Sequence, residues 1–268
     1  MGNLASRILV AAVLLPVALG ALWLGGWWLV ALGVVAGVLA IHELCAMAHE
    51  QRPVVLAAHI GVVATIVLAH LEGAAGLALA LGPAILLTFV LAAASPVPGR
   101  SSLTSMAVAV FGIAWIGVGL GSVVVLRDGG FTPVLAVLLG TWTSDIGAYA
   151  VGRLIGRRKL APAISPGKSV EGFVAGVAVG TAVVWWVLYG QHVVGTLAGV
   201  AVGLVVALAG PFGDLLESFV KRDVGVKDSG TLLGPAGPVP ESVAPRRRCS
   251  RSGRSARLDS PLGSGPNG

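Results

Sequence analysis

Long apolar runs, separated by short polar stretches, set the pattern of this chain. The runs cover residues 8–24, 27–47, 54–71, 76–94, 104–126, 133–151, 172–190 and 193–210. A helix crosses the hydrocarbon core of a bilayer with about 17 to 25 mainly apolar residues. The pattern therefore predicts an all-α, polytopic integral membrane protein with about eight transmembrane helices. A signal peptide is the alternative for the first run, since Arg7 precedes it, but a second apolar run follows almost at once.

Composition sharpens this picture. Apolar residues make up 56% of the 268 and charged residues 11%, with a mean hydropathy of +0.90; a soluble domain is about a quarter charged. The cysteines, Cys45 and Cys249, suggest neither a disulfide framework nor a zinc site.

Charge gives an orientation. With the N-terminus in the cytoplasm, eight spans put Arg52, Arg100, the segment 152–171 and everything after 210 on that side. The opposite loops carry only Glu72, Arg127 with Asp128, and Gln191 with His192, so the positive-inside rule supports this parity. The net charge of +6 owes much to residues 234–268, where six Arg face Glu241 and Asp259. That tail reads as a basic juxtamembrane or disordered segment beside anionic headgroups, with no nucleic-acid partner.

Within the spans, Gly172, Gly176 and Gly180 recur every four residues, as do Gly195, Gly199 and Gly203. Such stripes allow helix backbones to approach closely in lipid. His42, His59 and His70 lie in or at the ends of apolar runs and, without an acidic partner series, read as interhelical hydrogen-bonders. Glu43 reads as an interfacial residue.

Two segments carry candidate chemistry. The first runs from Thr141 through Thr143, Ser144, Asp145 and Tyr149 to Gly152 and Arg153, then through the basic loop Arg157, Arg158, Lys159 to Ser165, Lys168, Ser169 and Glu171. An ionisable residue within a span is costly unless it faces a polar cavity, so Asp145, flanked by those hydroxyls, predicts a wet pocket opening inward. The second segment holds Gly213, Asp214, Glu217, Ser218, Lys221 and Arg222, then Lys227 and Asp228. If residues 213–222 are helical, Asp214, Glu217 or Ser218, and Lys221 or Arg222 share one face. Carboxylates suit a divalent cation, while Lys, Arg and Ser suit phosphate oxygens; phosphoryl or nucleotidyl transfer needs both.

At these positions the chain resembles the phosphatidate cytidylyltransferase (CDP-diglyceride synthase) family. Asp145, Ala148, Tyr149, Gly152, Arg153, Gly156, Lys159, Leu160, Pro162, Ile164, Ser165, Pro166, Lys168, Ser169, Glu171 and Gly172 match one family pattern. Gly213, Asp214, Glu217, Ser218, Lys221, Arg222, Lys227, Asp228, Gly230 and Leu233 match the C-terminal signature. The resemblance implies transfer of a cytidylyl group from CTP to phosphatidic acid, with Mg²⁺ as cofactor, at an inner-membrane site facing the cytoplasm. It implies catalytic roles for Asp145, Lys168, Asp214, Lys221, Arg222 and Asp228, and substrate contacts for Arg153, Ser165, Ser218 and Lys227. Asp214 and Asp145 would hold the metal, and a homodimer is compatible with it.

After Leu233 the pattern stops. The family continues with a His-Gly-Gly and an Asp-Arg, whereas this chain reads Gly234-Pro-Ala-Gly-Pro and then turns rich in Arg, Ser and Pro. That abrupt change suggests a reading-frame shift near codon 234. The expected organisation is a membrane domain over 1–210, a signature segment over 211–233 and a disordered tail over 234–268. A catalytically inactive family member stays open, and so does a transporter of an anionic metabolite, which would carry its charges at the bilayer midplane.

Overall fold

The computed structural model describes residues 2–94 and 101–224. The helices are α1 (Gly2–Leu24), α2 (Gly26–Met47), α3 (Val55–Ala94), α4 (Ser102–Gly112), α5 (Val118–Asp128), α6 (Phe131–Ile155), α7 (Val170–Gly190) and α8 (Thr196–Asp223). A π-turn over Ile113–Gly117 joins α4 to α5. The protein is an α-helical, polytopic integral membrane protein. Among the described residues, the helices long and apolar enough to cross a membrane number six: α2, α3, the joined α4–α5, α6, α7 and α8.

The difference from about eight lies partly in α3, which contains both expected spans 54–71 and 76–94. Its backbone leaves the helical region at Gly73, with φ 61° and ψ −140°, a conformation open mainly to glycine. The two limbs then fold back on each other. A Cβ on Gly76 would lie 1.9 Å from the Leu68 carbonyl oxygen, and one on Gly61 would lie 3.3 Å from the Ala84 Cβ. On a straight helix residues 61 and 84 would be about 35 Å apart. The expected first span, 8–24, falls in α1, whose apolar part is described over Ala12–Leu24.

Two packing centres result. One gathers α2, α3, α4 and α5 around Ile41, Val62, Ile66 and Ile113, all essentially buried. The other joins α6, α7 and α8, with Ala136, Val184 and Leu188 at its heart. There the glycine stripe of α7 lies against α6: a Cβ on Gly172 would meet the Ala148 carbonyl oxygen at 2.5 Å, on Gly176 the Ser144 carbonyl oxygen at 2.7 Å, and on Gly180 the Gly140 carbonyl oxygen at 3.0 Å. The second stripe packs at two of its three positions, Gly203 on the Thr181 backbone and Gly199 on Trp185. Gly195 has open space around it and precedes α8.

The bundle has two distinct ends. At one, the Arg127 guanidinium donates from Nε to the Leu22 carbonyl at 2.6 Å and from Nη2 to the Trp23 carbonyl at 2.7 Å. These are carbonyls that the end of α1 leaves without an intrahelical partner. His70 meets Asp128 there, Nδ1 to Oδ2 at 3.2 Å, with Trp27 edge-on to the imidazole. His70 thus has an acidic partner 58 residues away in the chain. Exposed Trp23, Trp27 and Trp28 ring this end, as aromatic side chains do at a membrane interface. His42 and His59 form a T-shaped ring pair at 5.9 Å, and His59 Nδ1 lies 2.8 Å from the Val55 carbonyl oxygen of its own helix.

The opposite end carries the polar chemistry. It includes the turn at Arg52, where the Ser105 hydroxyl donates to the Gln51 carbonyl at 2.8 Å, and the segment between α6 and α7. That segment, expected as a basic loop, is a short antiparallel hairpin of β1 (Lys159–Ala161) and β2 (Ser165–Ser169), with Lys159 opposite Ser169. α8 runs through Pro211 without interruption, carrying the span and the charged segment as one rod.

Candidate active site

Local sequence shapes the hairpin that feeds the site. Ser169 caps α7, its hydroxyl accepting the Gly172 N–H at 3.2 Å, which satisfies one of the free amides at a helix start. Glu171 in that first turn reaches back, its carboxylate accepting the Arg157 N–H at 3.1 Å and the Arg158 N–H at 3.2 Å. The chain leaving α6 is thereby tied to the start of α7, and the Ser165–Ser169 strand is folded back over α6. Gly152 and Gly156 make room for this: a Cβ at either would lie 2.8 or 2.6 Å from the Ser169 hydroxyl.

Under the strand lies a cavity of about 430 Å³ in which Asp145 and Arg153 of α6, Lys168 and Ser169 of β2, Phe173 of α7 and Asp214 of α8 meet. Lys168 Nζ is 2.9 Å from Asp214 Oδ2. Arg153 Nη1 donates to the Tyr149 hydroxyl at 2.8 Å, one turn back on the same helix. The cavity penetrates the bundle. Gly176 packs at the level of Ser144, six residues into α7, so Asp145 lies roughly 9 Å below the start of that helix. A volume of this order suits a small-molecule site.

The hydroxyls beside Asp145 do not line the pocket as expected. Thr141 donates to the Val137 carbonyl at 2.9 Å and Thr143 to the Leu139 carbonyl at 2.6 Å, both in their own helix. Ser144 is buried against the α7 glycines, with no partner for its hydroxyl. Thr141 and Thr143 thus satisfy themselves on carbonyls of their own helix, and of this group only Asp145 lines the cavity.

The charged face of α8 meets two cavities. Asp214 faces the one just described. Glu217 and Lys221 pair with each other and line a smaller one with Glu43, Met47 and Trp115. Glu43, expected as a simple interfacial residue, therefore faces the charged helix. Ser165, Ser218 and Arg222 are partly buried but do not line the Asp145 cavity. Lys227, Asp228, the family-pattern residues after them and the basic tail lie outside the described residues. Phe173 and Pro211, which close the cavity, were not singled out in the sequence; their only signal is adjacency to the Ser169 cap and to Asp214.

Two carboxylates on one cavity fit a magnesium ion, which is commonly held by one or two carboxylates while substrate phosphates and water complete its shell. Asp145 and Asp214 are those carboxylates. No group of three or more His, Cys, Asp or Glu residues that could hold a metal occurs among the described residues, so an ion held there would need substrate or water to complete its shell.

The geometry agrees with what similarity to known proteins shows. The family model described as the Cytidylyltransferase family matches residues 5–238. The phosphatidate cytidylyltransferase of Staphylococcus saprophyticus subsp. saprophyticus is 36% identical over 135 residues, covering 50% of this chain and 52% of the relative. That of Staphylococcus aureus is 36% identical over 138 residues, and that of Staphylococcus haemolyticus 34% over 135, each with the same coverage. The aligned part spans about half the length of these curated relatives. With most of its length matched by the family model, the chain belongs to the Cytidylyltransferase family.

Proposed function

We propose that this protein transfers the cytidylyl group of CTP to phosphatidic acid, yielding CDP-diacylglycerol and pyrophosphate for phospholipid synthesis. The observation that carries this reading is the convergence of Asp145, Arg153, Lys168 and Asp214 on one cavity, at the basic end of a membrane bundle of this family. Arg52, Arg153, Arg157, Arg158, Lys159, Lys168, Lys221 and Arg222 belong to that end, against Arg127 at the other. By the positive-inside rule the cavity faces the cytoplasm, where CTP is found, in the cell inner membrane.

In the reaction a phosphate oxygen of phosphatidic acid attacks the α-phosphorus of CTP. The bond from that phosphorus to the oxygen bridging to the β-phosphate breaks, and pyrophosphate departs with the electron pair. The nucleophile is already an anion, so no strong base is required. The difficulty is bringing two polyanions together, which positioning and fixed positive charge resolve. Lys168, held over the cavity by Asp214, and Arg153, oriented by Tyr149, supply that charge. Mg²⁺ between Asp145 and Asp214 would further neutralise the triphosphate. Exposed Tyr149 and Leu154 on α6 give the lipid a lateral approach while nucleotide enters from the aqueous end.

Membranes containing the chain should release pyrophosphate only when CTP, phosphatidic acid and Mg²⁺ are all supplied. Release that does not depend on phosphatidic acid would overturn the lipid assignment. Binding of CTP without turnover would favour the inactive-member reading.

A further inference from the structure

A second polar cavity, of about 330 Å³, sits at the same end of the bundle but on other helices, between the start of α3 and the start of α4. It shares no lining residue with the Asp145 cavity. Its polar part is built from the Arg52 side chain and the hydroxyls of Ser101, Ser102 and Ser105; its remaining wall is apolar, with Leu56 and Leu91 among its residues. Arg52 is the only charged residue lining it among those described. Ser105 is fixed by its bond to the Gln51 carbonyl, 2.8 Å away, which also anchors the turn that carries Arg52.

We propose that this cavity binds one phospholipid with an anionic headgroup, separately from the catalytic cavity. The guanidinium offers a phosphate paired N–H donors, and the Ser101 and Ser102 hydroxyls can donate to its remaining oxygens, the Ser105 proton being engaged by Gln51. The cavity is amphiphilic at the depth where a phospholipid changes from headgroup to acyl chain. Its polar residues belong to the turns at the end of the bundle, and its apolar wall continues into the exposed, lipid-facing Val55 and Leu56 of α3. Among the described residues the lining offers no aromatic face for a base, which disfavours a free nucleotide. A soluble phosphate ion would leave the apolar wall unused. The occupant is therefore a membrane lipid, held as a fixed part of the bundle beside an enzyme whose proposed substrate and product are themselves anionic lipids.

The test uses the full chain carrying Lys168→Gln, so that lipid retained at the catalytic cavity does not dominate the count. Protein is reconstituted in nanodiscs of phosphatidylcholine with a minor fraction of phosphatidylglycerol, and retained lipid is read by native mass spectrometry. One phosphatidylglycerol should remain bound, and adding Arg52→Gln should weaken its retention about tenfold, whereas phosphatidylcholine retention stays unchanged. Leu56→Trp, which fills the apolar wall and leaves Arg52 in place, should also lower retention. Inorganic phosphate at millimolar concentration should not displace the lipid; displacement by phosphate would mean a simple anion site and overturn the proposal. Equal phosphatidylglycerol retention with and without Arg52→Gln would overturn it too. Because the readout is bound lipid, its outcome is independent of whether the chain turns over CTP.

Discussion

The Lys168 ammonium lies 2.9 Å from the Asp214 carboxylate, tying the second strand of the hairpin, next to the α7 cap, to a transmembrane helix 46 residues further along the chain. The two groups hold each other over the cavity until a polyanion can compete for the lysine and a cation for the carboxylate. On the proposed mechanism neither group has to be recruited from a distance; substrate binding exchanges their partners.

Replacing Asp214 with Asn keeps the shape of that side chain but removes its charge. The variant should lose the ion pair with Lys168 and half of the proposed magnesium site. Stabilisation of several kcal/mol by a bound metal, at 1.36 kcal/mol per decade, makes the expected fall in turnover roughly a hundredfold or more. The measurement is pyrophosphate release from reconstituted protein, with helical content checked by circular dichroism. Activity within about threefold of the parent would remove Asp214 from the site.

The close approach of α6 and α7 should be intolerant of side chains. Gly176→Leu would put atoms where the Ser144 carbonyl oxygen stands, 2.7 Å from the first added carbon. Overpacking of this kind costs about 1 to 3 kcal/mol and should lower the thermal midpoint in detergent. Gly190→Ala, at a position with nothing within 4 Å, is the control and should leave the midpoint almost unchanged.

Arg127 should matter for stability and not for chemistry. Arg127→Ala leaves the Leu22 and Trp23 carbonyls without donors, a loss of about 1 to 3 kcal/mol for hydrogen bonds from a charged group. Amide exchange should quicken at the junction of α1 and α2, while any cytidylyl transfer keeps its KM. An unchanged exchange pattern would show that water replaces the guanidinium without cost.

Topology can be read by labelling. With Cys249 changed to Ser, and Cys45 buried, single cysteines at Arg158 and Asp128 should react with a membrane-impermeant maleimide from opposite sides. Reaction of both from the same side would refute the two-ended arrangement and the cytoplasmic placement of the cavity with it.

Much of this architecture is legible in the sequence because lipid imposes strong rules. Long apolar runs mark the helices, and the four-residue spacing of Gly172, Gly176 and Gly180 marks a close helix contact that the α7 packing displays. Asp145 and Asp214 stand out as carboxylates within or beside apolar runs and Lys168 by its place in the family pattern, and the structure puts all three on one cavity. What the sequence conceals are pairings between distant segments. Nothing near Arg127 shows that its guanidinium ends α1, and nothing near His70 shows that Asp128 lies beside it. Thr141 and Thr143 mislead for a local reason: the sequence shows hydroxyls, but not that each is already engaged by a carbonyl of its own helix. The hairpin between α6 and α7 is hidden because its strands are three and five residues long, too short for an alternating pattern to register.

The glycine stripe has a consequence for how this protein can vary. Where α6 and α7 touch, the surfaces in contact are largely main chain, which every residue possesses and no substitution elsewhere can reshape. The spacing between Asp145 and the strand above it is thus set chiefly by two stiff backbones in close approach. The lipid-facing positions are therefore free to drift with the thickness and fluidity of whatever membrane the protein occupies, while the register of its polar groups stays where the backbones put it.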